Sequence, residues 1–192
     1  HGKAPRDKGA DLLRSLLDWA VRKHRGVADL IETYRAATPV GKELVLPGPT
    51  GEENGLRFVP RGMALCVASG TDALMNQIAA ALATENRIAI APASAQWIPP
   101  NLPDSVRTAV QPPGEPGPGK CDVIMIAVPS AGKLIEDLAA GPGALVPAIR
   151  TSGLGPIPLW RLTIERAWCI NTAATGGNAA LLALADEKRG SE

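Results

Sequence analysis

Histidine and aromatic residues are scarce in this chain of 192 residues. It has two histidines, one tyrosine, one phenylalanine and four tryptophans. His1 lies at the chain end and His24 lies on the amphipathic N-terminal segments, so we expect both to face solvent rather than to act as catalytic bases. With so few aromatic side chains, the core must consist of Ala, Leu, Val and Ile, which favours closely packed layers of helix on sheet.

An excess of charge and a long apolar run are also missing. The net charge is +1, and no apolar stretch approaches the roughly 20 residues that span a bilayer. The charge balance gives no general field for nucleic acid or for an anionic membrane, so we expect this chain to bind neither. The start, HGKAPRDKG, shows no signal peptide, and without Met it resembles a cut or tagged end.

Cysteine is rare as well. The chain has three cysteines, Cys66, Cys121 and Cys169, and they are far apart in the sequence. The odd number and the wide spacing argue against a disulfide framework and predict a reducing, cytoplasmic environment. Cys66 and Cys121 lie in or beside apolar strand patterns, where inert buried cysteine is usual. Small residues follow Cys169, but a thiolate nucleophile needs a base or a positive environment, and we do not expect a Cys–His pair.

Apolar periodicity predicts an α/β chain. Residues 11–23 have the 3.6-residue spacing of an amphipathic helix, and a second helix follows until Pro39 stops it. The segments ELVLPGPTGEEN and LRFVPRG indicate short extended pieces and a Pro/Gly turn. From Met63 onward, apolar strands alternate with helices, which predicts βαβ units and a parallel sheet. The predicted strands are MALCVAS, RIAIA, DVIMIAV and ALVPAI, and the helices between them are GTDALMNQIAAALATEN and SAGKLIEDLAA.

The predicted fold class is therefore a Rossmann-like parallel sheet with flanking helices, an N-terminal helical pair and a C-terminal strand-turn arm. We assign residues 1–60 to the N-terminal helices and connecting strand and turn, 61–158 to a degenerate Rossmann-like domain, and 159–192 to the arm and tail. Ser69 or Thr71 is expected to cap the first Rossmann-like helix. We expect a flexible or extended loop between the second and third strands, where Pro and Gly dominate residues 111–118. Residues 157–171 fit either a strand or a helix that leads into one.

The two common phosphate-binding loops do not match. GTDALMNQ, after the first predicted strand, has one glycine and lacks the GxGxxG spacing. IAVPSAGKL resembles a Walker A loop only superficially, because Ala127 and Leu134 stand where the first glycine and the Mg²⁺-binding hydroxyl are needed. An ordinary helix start is the favoured interpretation. No spaced His/Cys/Asp cluster indicates a metal site, and Glu136 and Asp137 suggest a solvated helix face.

The turn Gly176-Gly177-Asn178 leaves two interpretations open. The glycines either form a structural turn with positive φ, or they let the backbone pack close to another surface where a Cβ would clash.

Three stretches together resemble the C-terminal domain of long bifunctional proline utilization A proteins. They are LPGPTGEEN (46–54), RGMALCVASGTDALMNQIAAALATENRIAI (61–90) and LTIERAWCINTAATGGNAALLAL (162–184). The lead-in LLDWAVRKHRG…YRAATPVGKEL fits too, so the resemblance covers most of the chain. The pattern ERxxxINTAAxGGNAxL is specific, whereas residues 93–120 contribute little.

This resemblance implies a parent protein that oxidises proline to glutamate in bacteria. In that family an FAD-containing proline dehydrogenase barrel makes pyrroline-5-carboxylate, an NAD-dependent aldehyde dehydrogenase module oxidises glutamate semialdehyde, and the intermediate travels through an internal tunnel. The extra C-terminal domain has an aldehyde-dehydrogenase-superfamily fold, is generally taken to be non-catalytic, packs on the dehydrogenase module and helps to close the tunnel. The motif at its end is part of that contact, which assigns partner contacts to Asn171, Thr172, Gly176, Gly177 and Asn178.

The chain departs from active aldehyde dehydrogenases at each cofactor position that the resemblance covers. Ala91 in ALATENRIAIAP stands where those enzymes have a lysine on the cofactor ribose. Val128 and Pro129 in IAVPS replace the glycine-containing FTGS, and PAIRTSG replaces ELGG. We expect no catalytic-cysteine domain to follow. The resemblance therefore implies neither NAD binding nor aldehyde oxidation by this segment.

The sequence thus predicts a non-catalytic domain that covers the dehydrogenase module of a bifunctional proline dehydrogenase and 1-pyrroline-5-carboxylate dehydrogenase, in its own chain or in a neighbouring protomer. FAD and NAD belong to the parent, which is cytoplasmic or peripheral at the inner membrane, and no cofactor is expected here. Two alternatives stay open. One is a small NAD-dependent aldehyde oxidoreductase with Cys169 as nucleophile, and the other is an independent binding or oligomerisation module.

Overall fold

A computed structural model describes residues 8–111, 121–129, 131–141 and 144–171. Its α-helices are α1 (Lys8–Lys23), α2 (Arg25–Ala37), α3 (Thr71–Ala83), α4 (Asp104–Ala109) and α5 (Gly132–Ala140). Its strands are β1 (Glu43–Leu46), β2 (Glu52–Pro60), β3 (Met63–Ala68), β4 (Arg87–Ile90), β5 (Val110–Gln111), β6 (Val123–Ala127), β7 (Ala148–Arg150) and β8 (Thr163–Asn171). Two short 3-10 helices, Pro92–Trp97 and Leu159–Leu162, complete the described elements.

The chain forms two compact units. Among the described residues, the first unit contains 8–40 and those from 59 to 164, and the second contains 41–58 and 165–171. These units cut across the three-part division made from the sequence, because the N-terminal helices belong to the same unit as the Rossmann-like sheet.

A five-stranded parallel sheet in the order β5-β4-β3-β6-β7 forms the centre of the first unit. Every residue of β3 and the first four residues of β6 are buried, as expected for parallel strands covered on both faces. One face packs against α3 and α4, and the other packs against α5. The predicted α/β class, with a parallel sheet and flanking helices, is confirmed.

Helix α3 lies in the middle of the larger core, and every residue from Ala73 to Ala83 is buried. It contacts the sheet and also the α1–α2 pair. A helix that is covered all round must be largely apolar, and its buried polar residues Asn76 and Gln77 are hydrogen-bonded. The alanines of MNQIAAALA allow close approach of the neighbouring elements. The scarcity of aromatic residues is consistent with this closely packed arrangement.

The second unit contains a three-stranded sheet in the order β1-β2-β8. β1 and β2 form an antiparallel hairpin whose register pairs Leu44 with Leu56 and Val45 with Gly55. Residues 157–171, left open in the sequence, form the 3-10 helix Leu159–Leu162 followed by β8. The strand of the predicted strand-turn arm is therefore present, and its turn lies outside the described residues.

Three local expectations were wrong. The N-cap of α3 is Gly70, because the hydroxyls of Ser69 and Thr71 donate instead to the carbonyls of Ala127 and Trp97. The last parallel strand covers 148–150 rather than 144–149, because Pro147 has no N–H to donate to the sheet. The carbonyl of Pro147 does accept a bond from the Ile124 N–H, at 3.0 Å. Residues 104–111, expected in a loop, form α4 and β5.

Candidate functional site

In open α/β sheets, ligands bind beyond the carboxyl ends of the strands, where the strand order reverses. Here that point lies between β3 and β6, because β3 connects through α3 to β4 on one side and β6 lies on its other side. A nucleotide site of a Rossmann-like domain would therefore use the loops that follow these two strands.

The residue that follows β3 is hydrogen-bonded to the last residue of β6. The backbone N–H and the hydroxyl of Ser69 both donate to the carbonyl oxygen of Ala127, at 3.2 and 3.1 Å. On the side of β4, the N–H of Ala68 donates to the buried Ser94 Oγ at 2.9 Å. These bonds occupy backbone groups that a phosphate ligand would need at this edge.

Two of the three departures from active aldehyde dehydrogenases, Ala91 and the pair Val128-Pro129, lie at the same edge. Ala91 directly follows β4, is buried, and donates its N–H to the carbonyl of Cys66 at 3.0 Å. Val128 packs against the α5 side of the core, and the exposed Pro129 has no N–H to donate. These residues provide neither an ammonium group nor a glycine for close approach to a phosphate.

The two buried cysteines are poor nucleophiles, as the sequence predicted. Cys66 lies in β3, where burial raises its pKa to about 12. Burial, and then the charge of Asp122, raise the pKa of Cys121. Because the thiolate is the reactive form, neither group reacts readily at neutral pH. Cys169 is exposed on β8.

His24 does not face solvent freely, contrary to expectation. Its Nδ1 lies 2.7 Å from Oδ1 of Asp72. Its ring stacks on Trp19 with the ring centroids 4.5 Å apart. These contacts give His24 a structural role at the junction of α1 and α2. Within residues 8–111, 121–129, 131–141 and 144–171, no group of three His, Cys, Asp or Glu side chains is arranged to hold a metal ion. The helices in the same ranges are too short or too polar to cross a membrane.

The three-stranded sheet offers a different kind of site. A Cβ on Gly55 would overlap the indole ring of Trp168, so that ring occupies the space above Gly55 in the middle strand. Val45 is paired with Gly55, and side chains in a strand alternate between the faces. Val45, Trp168 and Ile170 therefore share one face, which we call the tryptophan face. Leu44 and Leu46 lie on the opposite face, which we call the leucine face.

Both faces of this sheet expose large apolar side chains. On the tryptophan face, Val45 is 83% exposed and Ile170 is 53% exposed. On the leucine face, Leu44 is 48% exposed and Leu46 is 40% exposed. Antiparallel sheets commonly leave one face to water, but their other face packs on a core. Apolar groups on both faces indicate an interaction surface.

The indole of Trp168 adds a polar feature to the tryptophan face. Its Nε1–H is buried and has no acceptor among the described residues. A buried indole N–H usually has a hydrogen-bond partner. The exposed aliphatic groups beside this ring, Val45 and Ile170, are suited to contact another polypeptide.

Of the five predicted partner-contact residues, the structure describes only Asn171, the exposed last residue of β8. Thr172, Gly176, Gly177 and Asn178 lie outside the described residues, so the close-approach turn stays a prediction. The sequence reasoning missed the exposed residues of β1. Their signal was the run ELVL, in which three consecutive apolar residues lack the alternation of a half-buried strand.

The chain is similar in sequence to a segment of curated bifunctional PutA proteins. It is 30% identical to the Escherichia coli protein over 178 residues, which cover 90% of this chain and 13% of that protein. It is 35% identical to the Rhizobium meliloti protein over 182 residues, which cover 83% of this chain and 14% of that one. The chain therefore spans only a small part of these relatives. It matches no protein-family model.

Solved structures share the fold. A Bradyrhizobium japonicum proline utilization A (PutA) variant matches with a TM-score of 0.59 and 20% identity, covering 78% of this chain and 20% of that one. An NADP-dependent glyceraldehyde-3-phosphate dehydrogenase from Bacillus halodurans matches with a TM-score of 0.56 and 15% identity, covering 77% of this chain and 40% of that one. The fold is thus that of an aldehyde-dehydrogenase-like α/β domain. More particularly, the chain is homologous to a segment of bifunctional PutA proteins, as its motifs predicted.

Proposed function

We propose that this chain is a non-catalytic domain of a PutA-type protein, where it docks on the aldehyde dehydrogenase module and helps to close the channelling tunnel during oxidation of proline to glutamate. The observation that carries the proposal is the three-stranded sheet, which exposes apolar side chains on both faces. Similarity to a segment that makes up about 13% of the PutA relatives supports a partner within the same type of protein.

The docking energy would come from the tryptophan face. Full burial of a valine contributes about 1.5–3 kcal/mol, and Val45 starts 83% exposed. The domain would act by covering the module and keeping water from the intermediate, with no chemistry of its own.

We also propose that the domain binds no NAD and that FAD and NAD act only in the rest of the protein. The Ser69–Ala127 bonds, together with Ala91 and Pro129 at the sheet edge, support this. Calorimetric titration of the purified chain with NAD should show no binding, and glutamate semialdehyde with NAD should give no turnover. A micromolar dissociation constant, or saturable turnover that Cys169→Ser abolishes, would instead support the oxidoreductase alternative.

The docking proposal is tested by adding the chain back to a PutA-type parent from which the matching segment has been deleted. The deletion should slow coupled conversion of proline to glutamate and release intermediate to solvent, and the added chain should restore coupling. Val45→Asp should weaken docking by about tenfold or more, because it removes apolar burial and adds a charge. Leu145→Asp is the matched control, since Leu145 is 82% exposed in the first unit. Full coupling in the truncated parent would refute the proposal.

Self-association is the second candidate, because the same sheet could bind a copy of itself. Sedimentation of the chain alone at micromolar concentration separates the two. A monomer that docks on the truncated parent supports the docking proposal. A stable dimer that Val45→Asp dissociates, with no binding to the parent, would support an oligomerisation module.

A further inference from the structure

A cleft in the first unit lies where helices α2 and α3 end, beside the first turns of α1. Its volume is about 230 Å³. Four apolar side chains and two charged ones contribute to its lining: Leu13, Val40, Leu82, Ala83, Arg35 and Glu85. All of them belong to the first unit. We call this space the helix-end cleft, and its lining suits a small molecule that has both an apolar and a charged part.

Glu85 occupies a backbone position that usually takes glycine. Its N–H donates to the carbonyl of Leu82 at 3.1 Å. The N–H of Asn86 donates to the carbonyl of Ala81 at 2.9 Å, which completes a Schellman motif at the end of α3. Glu85 has a φ of 56°, and among the described residues it is the one non-glycine residue with positive φ. Because a Cβ is strained in this conformation, the backbone alone favours glycine at position 85.

The charge of Glu85 is unfavourable at the same place. The carboxyl end of a helix carries partial negative charge, which basic residues stabilise and acidic residues oppose. The last turn of α3 contains no basic residue. Arg35, the cation in the lining, is paired with Glu32, with its Nη1 2.9 Å from Oε2. A bound cation would offset both the charge of Glu85 and the partial charge at the end of α3.

We propose that the helix-end cleft binds a small organic cation, in which an ammonium group is attached to a short hydrocarbon body. The ammonium group binds beside Glu85 at the end of α3, and the hydrocarbon body contacts Leu13, Val40 and Leu82. This site explains why glutamate stands where both the backbone and the helix end disfavour it. Residues held in sparsely populated backbone conformations are concentrated at functional sites.

The probe is n-butylammonium chloride, and sodium butyrate is the control ligand because it has a similar hydrocarbon body and the opposite charge. Titration of the purified chain at constant ionic strength is followed by the NMR signals of the leucine and valine methyl groups. The cation should bind with a dissociation constant of about 1 mM and shift the signals of Leu13 and Leu82, whereas butyrate should not. No saturation at about ten times that concentration, or equal binding of butyrate, would overturn the proposal.

Glu85→Gln tests the carboxylate, because it removes the charge and keeps the length of the side chain. It should weaken binding of n-butylammonium by about tenfold or more. Glu136→Gln is the matched control, since it neutralises an exposed glutamate of α5 and should leave the affinity unchanged. Equal affinities of the two variants would show that the probe responds to net charge alone, and the site would be refuted.

Glu85→Gly separates the cost of the glutamate from its use. This variant should also lose affinity, yet its urea midpoint should rise by about 0.2–0.5 M because it removes the strained Cβ and the repelled charge. Ala10→Phe, at an exposed lining position of α1, should fill the cleft and abolish binding while Glu85 stays in place. Binding retained by either variant, or a lower urea midpoint of Glu85→Gly, would contradict the proposed site.

Discussion

Tyr34→Phe should strongly destabilise the first unit, although it removes a single oxygen atom. Tyr34 is buried in α2, and its hydroxyl donates to Asn76 Oδ1 at 2.7 Å. The same hydroxyl accepts a bond from the N–H of Ile157 at 2.8 Å. Asn76 in turn donates to the carbonyls of Gly153 and Gly155. Through this network, one hydroxyl connects α2, α3 and the segment that follows β7.

The magnitude follows from the groups that would be left without partners. Removal of the hydroxyl leaves a buried amide oxygen on Asn76 and a buried N–H on Ile157, and each such group costs about 1–3 kcal/mol. Partial relaxation reduces the sum, so we expect a loss of about 2–4 kcal/mol in the free energy of unfolding. With a urea dependence of about 1–3 kcal/mol per molar, the midpoint should fall by about 1–2 M.

Urea unfolding of the purified chain, followed by circular dichroism, measures this shift. Ser15→Ala is the matched control, because it also deletes a hydroxyl, but one that only donates to the carbonyl of Asp11 within α1. The control should change stability by less than about 0.5 kcal/mol. If Tyr34→Phe were no more destabilising than Ser15→Ala, the network would not hold the segment 153–157 against the helices.

Two further predictions concern the sheet and the core. Gly55→Ala should displace the Trp168 indole and weaken docking while leaving the melting of the first unit unchanged, and normal docking by this variant would contradict the assigned tryptophan face. Burial raises the pKa of Cys66 from 9.0 to about 12 in the folded chain, so as the pH rises the thiol loses its proton first in the unfolded chain. Cys66 should therefore leave the free energy of unfolding unchanged below pH 9 and lower it above that pH. The fall is up to about 1.4 kcal/mol per pH unit, and a Cys66→Ala variant should show a shallower slope in urea titrations at pH 8–10.

The parallel sheet could be predicted because its signal is strong and local. β3 and β6 are buried on both faces, so their sequences are continuous apolar runs of strand length. α3 follows with mostly apolar residues, as its position between the sheet and the α1–α2 pair requires. Because an element that is buried on every side must consist mostly of apolar residues, its composition alone identifies it in the sequence.

The elements that escaped prediction depend on contacts that leave little trace in sequence. α4 has only six residues, fewer than two helical turns, and Arg107 supports it through carbonyls that precede it in the chain. The N-cap of α3 has no side-chain bond, because the hydroxyls beside it are used by other loops. His24 looked solvent-facing because its partner, Asp72, is distant in sequence.

The candidate site was predictable only in part. The resemblance pointed to the end of the chain, and of those residues Asn171 lies at the end of β8, in the same sheet as the exposed apolar groups. The leucines and valine of β1 lie more than a hundred residues earlier and meet that strand only through β2. Their role as a surface depends on a pairing between distant strands, which single-sequence periodicity does not report.

The alternation in β8 shows what a sequence pattern does and does not determine. Trp168 and Ile170 are two residues apart and share a face, as alternation predicts. Alternation usually also means that this face is buried, yet Ile170 is largely exposed while Leu162, which precedes the strand, is fully buried. The pattern therefore specifies which side chains lie together, and whatever covers that face determines whether they are buried. An apolar face that the described residues leave uncovered is what we expect of a domain shaped to fit a partner.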